Sequence, residues 1–456
     1  MTKRALLSPW DKTGLVELAQ GLAELGWELI ASGGSARALT DAGLVVTEVA
    51  EVTGAPEMLG GRVKTLHPAI HGGILADRSD PSHLEDLQRR GIEPIDLVVG
   101  NLYPFRAEPS VEMIDIGGVA LARAAAKNFD SVGVVVDPSD YPAVLAELRA
   151  EGALSEATRR RLARAAFAHT AAYDAAIVSW FDDGAGTDDG TLPPTVHLAL
   201  ERAAELRYGE NPHQAGARYR HTGRPSFWDG VVQHAGLPLS YLNVYDADAA
   251  WAMVHDLGDR PAAVIVKHAN PCGVSVADDL ATAYRRAYEC DERSAFGGIV
   301  AVNGEIDGAA VGAMVAAAQA DVVIAPGYGP SAVEALQAKR RNTRVLEAPP
   351  PPAAGLHLRQ ISDGFLVQTA AGFRAGRDDW QVVTKAAPTE AQWADAELAW
   401  RLTGWVRSNA IILVKDQQAV GIGAGQQNRV EAGQIAAAKA AGRAAGGACA
   451  SDAFYP

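Results

Sequence analysis

Lys267 and His268 adjoin where the apolar run Val264-Ile265-Val266 gives way to Ala269-Asn270-Pro271-Cys272-Gly273. The run reads as a buried strand, and Asn-Pro followed by Cys-Gly reads as the tight turn at its end. The pair is therefore expected at a strand terminus, where α/β domains bind ligands. An ammonium beside an imidazole tunes proton transfer near neutral pH. A solvated strand end also fits, and residue types leave both readings open. Upstream, Gly60-Gly61-Arg62-Val63-Lys64-Thr65-Leu66-His67-Pro68-Ala69-Ile70-His71-Gly72-Gly73 packs two cations and two imidazoles between paired glycines, which favours chemistry over a solvated face. Asp115-Ile116-Gly117-Gly118 opens a helical stretch carrying Arg123 and Lys127. Asp115 and Lys127 share a side if that helix is unbroken; an acid and a base complementing the helix dipole fit equally well. Ser32-Gly33-Gly34-Ser35, running into a helical pattern, suits a phosphate at a helix N-terminus, or is an ordinary loop.

The elements that position these residues follow from hydrophobic periodicity. Ala5 to Leu7 is apolar, Asp11-Lys12-Thr13-Gly14 is polar, and Leu15, Leu18, Leu22 and Leu25 recur at helical spacing before Gly26 and a strand pattern from Trp27 to Ala31. This is a βαβ opening. Ile95 to Val99 reads as a strand ending in Gly100-Asn101-Leu102-Tyr103-Pro104-Phe105. The stretch from Asp182 to Thr195, rich in Gly, Asp and Pro, reads as a linker. After it come Leu206-Arg207-Tyr208-Gly209-Glu210-Asn211-Pro212, the Lys-His stretch, Ser294-Ala295-Phe296-Gly297-Gly298 before the strand Ile299 to Val302, and Asp321-Val322-Val323-Ile324-Ala325. Ala348-Pro349-Pro350-Pro351-Pro352-Ala353 reads as a surface connection between two lobes. Val406-Arg407-Ser408-Asn409-Ala410 and the glycine-rich run Gly421-Ile422-Gly423-Ala424-Gly425 follow. That run fails the dinucleotide fingerprint in spacing.

The chain has 456 residues with 48% hydrophobic content, enough for about two to three domains with substantial cores. A formal charge of -14 argues against nucleic acid and anionic membranes as partners. No apolar stretch is long enough to span a bilayer and the N-terminus lacks a signal-like core, so a cytoplasmic protein is expected. Cys272, Cys290 and Cys449 are few and widely spaced, indicating neither a disulfide framework nor a zinc site.

The ordered set Asp-Lys-Thr-Gly, Ser-Gly-Gly-Ser, Gly-Gly-Arg-Val-Lys-Thr-Leu-His-Pro, Asn-Leu-Tyr-Pro-Phe and Asp-Ile-Gly-Gly resembles the inosine monophosphate (IMP) cyclohydrolase half of the bifunctional purine-biosynthesis family. The motifs from Arg207 onward resemble its 5-aminoimidazole-4-carboxamide ribonucleotide (AICAR) transformylase half, so the resemblance covers essentially the whole chain. It implies an α/β fold: a methylglyoxal-synthase-like parallel domain over residues 1–195 with its linker, then a two-lobed cytidine-deaminase-like region over 196–456. The implied activity transfers a formyl group from 10-formyltetrahydrofolate to the 5-amino group of AICAR. The formylated product (FAICAR) is then cyclised and dehydrated to IMP.

By this resemblance His268 accepts or shuttles the proton of the weakly nucleophilic amine, Lys267 stabilises the oxyanion and assists the leaving group, and Asn409 orients the reactants. Arg207, Tyr208 and Gly297 match nucleotide-holding positions and Asp321 a folate-associated one. Lys64, Tyr103, Asp115 and Lys127 match catalytic and oxyanion-stabilising positions of the cyclohydrolase. Ser8, Lys12, Ser32, Gly33, Gly34, Ser35 and Arg62 match positions around the nucleotide phosphate. No metal or covalent cofactor is implied, the folate being a co-substrate, and the family's transformylase sites imply a homodimer.

Trp10 departs from the small or hydroxylated residue often found there in the family. The chain also ends at Pro456, where relatives continue for several dozen residues, so a transformylase impaired relative to the cyclohydrolase is an expectation. The rival classes are a single-activity enzyme, either that cyclohydrolase or a methylglyoxal-synthase-like lyase, and a non-catalytic nucleotide-binding regulator. The Lys267-His268 and Asn409 motifs speak against decay, and a regulator has no use for so many proton-transfer groups.

Overall fold

The computed structural model describes residues 2–184, 192–352, 355–370 and 376–454. It divides into two compact units, Met1–Ala199 and Leu200–Pro456, each described by itself.

Among the described residues of the first unit, five parallel strands form one sheet in the spatial order Thr47–Glu48, Glu28–Ala31, Arg4–Leu7, Leu97–Val99, Gly133–Val135. A parallel sheet is covered on both faces, so its strands are apolar runs rather than alternating ones. Ala5, Leu6, Leu7, Leu97 and Val99 are accordingly buried without remainder. The helix Leu15–Glu24 buries Leu15, Leu18 and Leu22 against them, while Leu25 caps its end and is exposed. The strand order reverses between Arg4–Leu7 and Leu97–Val99, and ligands of doubly wound sheets bind outside the carboxyl ends at such a reversal. Ser8, Ser32 and Asn101 stand just past three of these carboxyl ends. A long helix, Glu156–Gly184, runs into the stretch read as a linker from Asp182; residues 185–191 of that stretch lie outside the described residues.

The second unit holds a mixed nine-stranded sheet among its described residues. Its order is Ala448–Ser451, Ile411–Lys415, Gln418–Gly423, Asn270–Val276, Ala262–Lys267, Ile299–Val302, Val322–Ala325, Arg344–Glu347, Val232–Ala235. The two lobes read from the sequence are halves of this one sheet, joined by the antiparallel pair Ser275 and Gln418. Each half contains the same unit: a helix with a capping box, Tyr241–Asp256 or Glu390–Thr403, followed by an antiparallel hairpin.

The structure corrects one local expectation and adds detail to two others. The turn after the Lys-His strand is made by His268 and Ala269, not by Asn-Pro and Cys-Gly: Asn270 already pairs with Lys267, and Asn270–Val276 is a strand with a bulge between Pro271 and Gly273. Gly273 is there because a Cβ would sit 1.9 Å from the Ala287 carbonyl oxygen of the covering helix. The glycine-rich run is likewise a strand, Gln418–Gly423, whose Gly421 and Gly423 face the Ala436 and Ala432 carbonyls at 2.1 and 1.9 Å from a would-be Cβ. Those glycines serve helix packing. The proline run is at the surface as expected, with Pro349, Pro350 and Pro352 exposed, although it starts from the buried Ala348 and the Pro349 carbonyl accepts a hydrogen bond from the Trp251 indole at 3.0 Å; Ala353 lies outside the described residues. All three cysteines are free thiols.

Candidate active sites

A cavity of about 580 Å³ opens at the carboxyl ends of the first unit's sheet. Its walls include Ser8, Trp10, Lys12, Ser32, Gly34 and Ser35 from the first two strand ends. These loops are tied together. The Asn101 side chain accepts from the Asp11 N–H at 2.8 Å and donates to the Asp11 carbonyl at 3.0 Å, and the Ser35 hydroxyl donates to the Pro9 carbonyl at 3.2 Å. Ser32 is the N-cap of the helix Gly33–Asp41, but its hydroxyl does not cap it. The helix therefore presents orphan N–H groups and the positive end of its dipole to the cavity. The Lys12 ammonium, donating to the Trp10 carbonyl at 3.1 Å, stands 3.6 Å from where a Cβ on Gly34 would be.

The walls also include Gly60, Gly61, Arg62, Lys64, Thr65, Tyr103, Glu112 and Asp115. Lys64 pairs with Glu57 at 3.1 Å and is hemmed by two glycines in left-handed conformations. A Cβ on Gly33 would lie 3.1 Å from its ammonium; one on Gly61 would lie 2.9 Å from its Cε and 2.5 Å from Glu57 Oε1. Arg62 pairs with Glu112, both exposed. Tyr103 meets the ring of Trp10 edge to face at 4.9 Å. Asp115 is buried; its Oδ1 accepts from the Gly118 N–H at 2.7 Å, and its own N–H donates to the Tyr173 hydroxyl at 2.8 Å. Burial raises its carboxyl above the ordinary aspartate value, against the lowering effect of the Gly118 and Tyr103 N–H groups.

Not every expected residue arrives here. Gly33 adjoins Lys64 without forming the wall. Asp115 precedes the helix Gly117–Lys127, and Lys127 sits exposed at its far end, about 15 Å along the axis at helical rise, outside the cavity walls. His67 is the N-cap of the helix Pro68–Leu75, its Nδ1 accepting from the Ala69 N–H, and His71 is lowered by burial. Neither imidazole lines the cavity. Sequence reading gave no role to Glu57, Glu112, Asn101 or Tyr173; only Asn101 lay in a quoted motif, and the others lack a local signal.

In the second unit the expected residues gather at one end of the nine-stranded sheet. Lys267 ends its strand and donates to the Phe296 carbonyl at 2.7 Å, next to Gly297. Gly297 has φ 70, and a Cβ there would lie 3.9 Å from Asp321 Oδ1. Asp321 precedes Val322–Ala325, its carbonyl accepting from the Arg344 N–H at 3.0 Å. Burial lowers Arg344, an effect that Asp321 opposes and Arg207 reinforces; the Arg207 guanidinium lies 5.3 Å over the Tyr208 ring. On the other side, Asn270 Oδ1 accepts from the Arg407 N–H at 3.2 Å, and the Asn409 amide donates to the Gln426 carbonyl at 2.8 Å. The antiparallel central pair thus brings the start of Ile411–Lys415 to the same end as Lys267 and His268. The carboxylate of Asp246, which sequence reading passed over, accepts from the backbone of the Lys-His hairpin. Among the described residues no group of three or more His, Cys, Asp or Glu is placed to hold a metal ion, and no helix is long and apolar enough to cross a membrane.

Comparison with known proteins gives the family. Residues 14–130 match the MGS-like domain, and residues 125–439 match the AICARFT/IMPCHase bienzyme. The bifunctional purine biosynthesis protein PurH of a Cyanothece species is 48% identical over all of this chain and 90% of its own length. Its counterpart from a Synechococcus species is 49% identical over 100% and 91%, and that of Myxococcus xanthus 48% over 99% and 90%. Such relatives do not favour a single-activity enzyme or a regulator. The chain belongs to the AICARFT/IMPCHase bienzyme family, and is a formyltransferase acting on AICAR joined to an IMP cyclohydrolase.

Proposed function

We propose that the cavity of the first unit closes the purine ring, and that the sheet end bearing Lys267 and His268 performs the formyl transfer that precedes it. The observation that carries the first assignment is that Ser8, Lys12, Ser32, Gly34, Ser35, Arg62, Lys64, Tyr103 and Asp115 share one cavity. The ribonucleotide phosphate sits at the N-terminus of Gly33–Asp41 beside Lys12, with Arg62 leaving Glu112 to meet it. In cyclisation the carboxamide nitrogen attacks the formyl carbon. One hydrogen from that nitrogen and one from the formamide nitrogen then leave with the formyl oxygen as water. Lys64 and Tyr103 stabilise the charge on that oxygen, and Asp115, more basic than an ordinary aspartate because it is buried, takes the carboxamide proton. Holding an intramolecular reaction in its productive conformer supplies much of the rate.

For transfer, the donor is 10-formyltetrahydrofolate. The 5-amino group attacks the formyl carbon while His268 takes its proton, Lys267 stabilises the oxyanion, and the departing folate nitrogen is protonated. Asn409 orients the reactants; Arg207, Tyr208 and Gly297 hold the nucleotide, and Asp321 meets the folate. A homodimer in the cytoplasm, with no resident metal, completes the reading. The test is to supply AICAR with 10-formyltetrahydrofolate and follow tetrahydrofolate and IMP together. Equal appearance of both supports the assignment. Failure of both, with cyclisation of supplied FAICAR intact, removes the transfer half.

A further inference from the structure

The Lys-His hairpin is built on residues that its geometry disfavours. His268 and Ala269 have φ of 54° and 55°, a two-residue left-handed turn that glycine and asparagine usually occupy. What holds it comes from outside the hairpin. Asp246, the sixth residue of the helix Tyr241–Asp256, accepts from the His268 N–H at 3.2 Å and from the Ala269 N–H at 2.8 Å, one through each carboxylate oxygen. The aspartate is only 7% exposed. On the other flank Asn270 is bonded to the Arg407 N–H, so the turn is gripped from both sides.

The second half of the sheet repeats the device without the chemistry. Asp395, the sixth residue of Glu390–Thr403, accepts from the N–H groups of Asp416 at 3.0 Å and Gln417 at 2.7 Å, and these residues have φ of 50° and 61°. Because the strands joining the halves are antiparallel, this hairpin lies at the opposite end of the sheet from His268. It carries none of the residues assigned to transfer. The chain thus contains its own structural control.

We propose that Asp246 is a positioning residue for formyl transfer: by accepting two successive N–H groups it fixes the left-handed turn, and with it the direction in which His268 leaves the sheet and the place of Lys267 beside it. The proposal rests on the assignment of transfer to His268 and Lys267. Asparagine at 246 keeps the shape but offers one oxygen and one NH₂, setting a donor against a donor, so one of the two bonds is lost and the turn relaxes. A displacement of the reacting group by an ångström suffices to cost two orders of magnitude in rate.

The test compares D246N, D395N, D246N/A269G and H268A in the full chain, measuring formyl transfer at saturating and limiting AICAR together with thermal unfolding. D246N is expected to lower kcat at least about tenfold with KM within about twofold, whereas D395N lowers the melting temperature comparably and leaves kcat within about twofold. Glycine at 269 accepts the positive φ, so D246N/A269G should recover kcat by about threefold or more. Should D246N fail to fold, D246E, which keeps both acceptor oxygens but moves them by one methylene, is set against D395E in the same comparison. Equal kcat in the Asp246 and Asp395 variants, or no recovery with glycine, overturns the positioning role. Wild-type kcat in H268A instead overturns the assignment of His268 itself, which keeps the two failures apart.

Discussion

Two adjacent glycines of the cavity assigned above to cyclisation separate backbone strain from site geometry. Gly60 and Gly61 both have positive φ, 64° and 99°. Alanine at either position costs about 1–2 kcal/mol from the left-handed conformation alone, or about 2–8 °C in melting temperature for a domain of this size. Their surroundings differ. A Cβ on Gly60 meets nothing within 4 Å, whereas one on Gly61 meets Glu57 Oε1 at 2.5 Å, Lys64 Cε at 2.9 Å and Lys64 Nζ at 3.1 Å. With ordinary contact beginning near 3.4 Å, the glutamate must retreat by about 0.9 Å and the lysine stem by about 0.5 Å. If an ångström of misplacement costs about a hundredfold, half of that costs about tenfold. G61A is therefore expected to cyclise FAICAR about tenfold more slowly than G60A at similar stability, with formyl transfer unchanged in both. The assay is IMP formation from supplied FAICAR, followed by absorbance, beside thermal unfolding. Equal cyclisation rates in the two variants would refute a role for the Lys64 position.

Three further outcomes follow from particular contacts. Burial raises the folded Asp115 above its unfolded value, so its contribution to stability is fully present below the unfolded pKa and is lost as pH rises through the folded one; D115N should abolish cyclisation's acidic limb and flatten stability over that window, as pH–rate and pH–melting profiles report. Removing the Tyr173 hydroxyl frees the Asp115 N–H and the Met113 carbonyl. Y173F should then cost about 1 kcal/mol by denaturant titration and slow cyclisation but not transfer. In G273A the added methyl is aimed at the Ala287 carbonyl 1.9 Å away, so unfolding should move down by about 1–3 kcal/mol or more, and an unchanged melting curve would contradict the packing described.

How legible the chain was depends on whether the signal is local. In the first unit the apolar runs around Leu6, Ile30 and Val98 are whole buried strands, and the polar motifs after them are the strand-end loops, so sequence order and cavity wall nearly coincide. Lys127 escaped because residues that share a side of a helix are still separated by the whole rise between them. His67 and His71 share a motif with Lys64 but face a helix cap and the interior. In the second unit the turn was misplaced because Asn-Pro and Cys-Gly carry the usual turn chemistry while His-Ala does not; the buried Asp246, distant in sequence, overrides that preference. Gly421 and Gly423 resemble a ligand loop in composition, yet their smallness answers to carbonyls of a packed helix, and only the fold reveals that.

The central claim is that two separable sites act in sequence, and a pair of variants tests it most directly. Given AICAR and 10-formyltetrahydrofolate, K64M should form tetrahydrofolate at the wild-type rate and accumulate FAICAR, its cyclisation slowed about a hundredfold or more by loss of the oxyanion-stabilising ammonium. H268A should release almost no tetrahydrofolate, yet convert supplied FAICAR to IMP as fast as the wild type. Loss of both activities in either variant, or a K64M that still makes IMP without delay, would contradict the account.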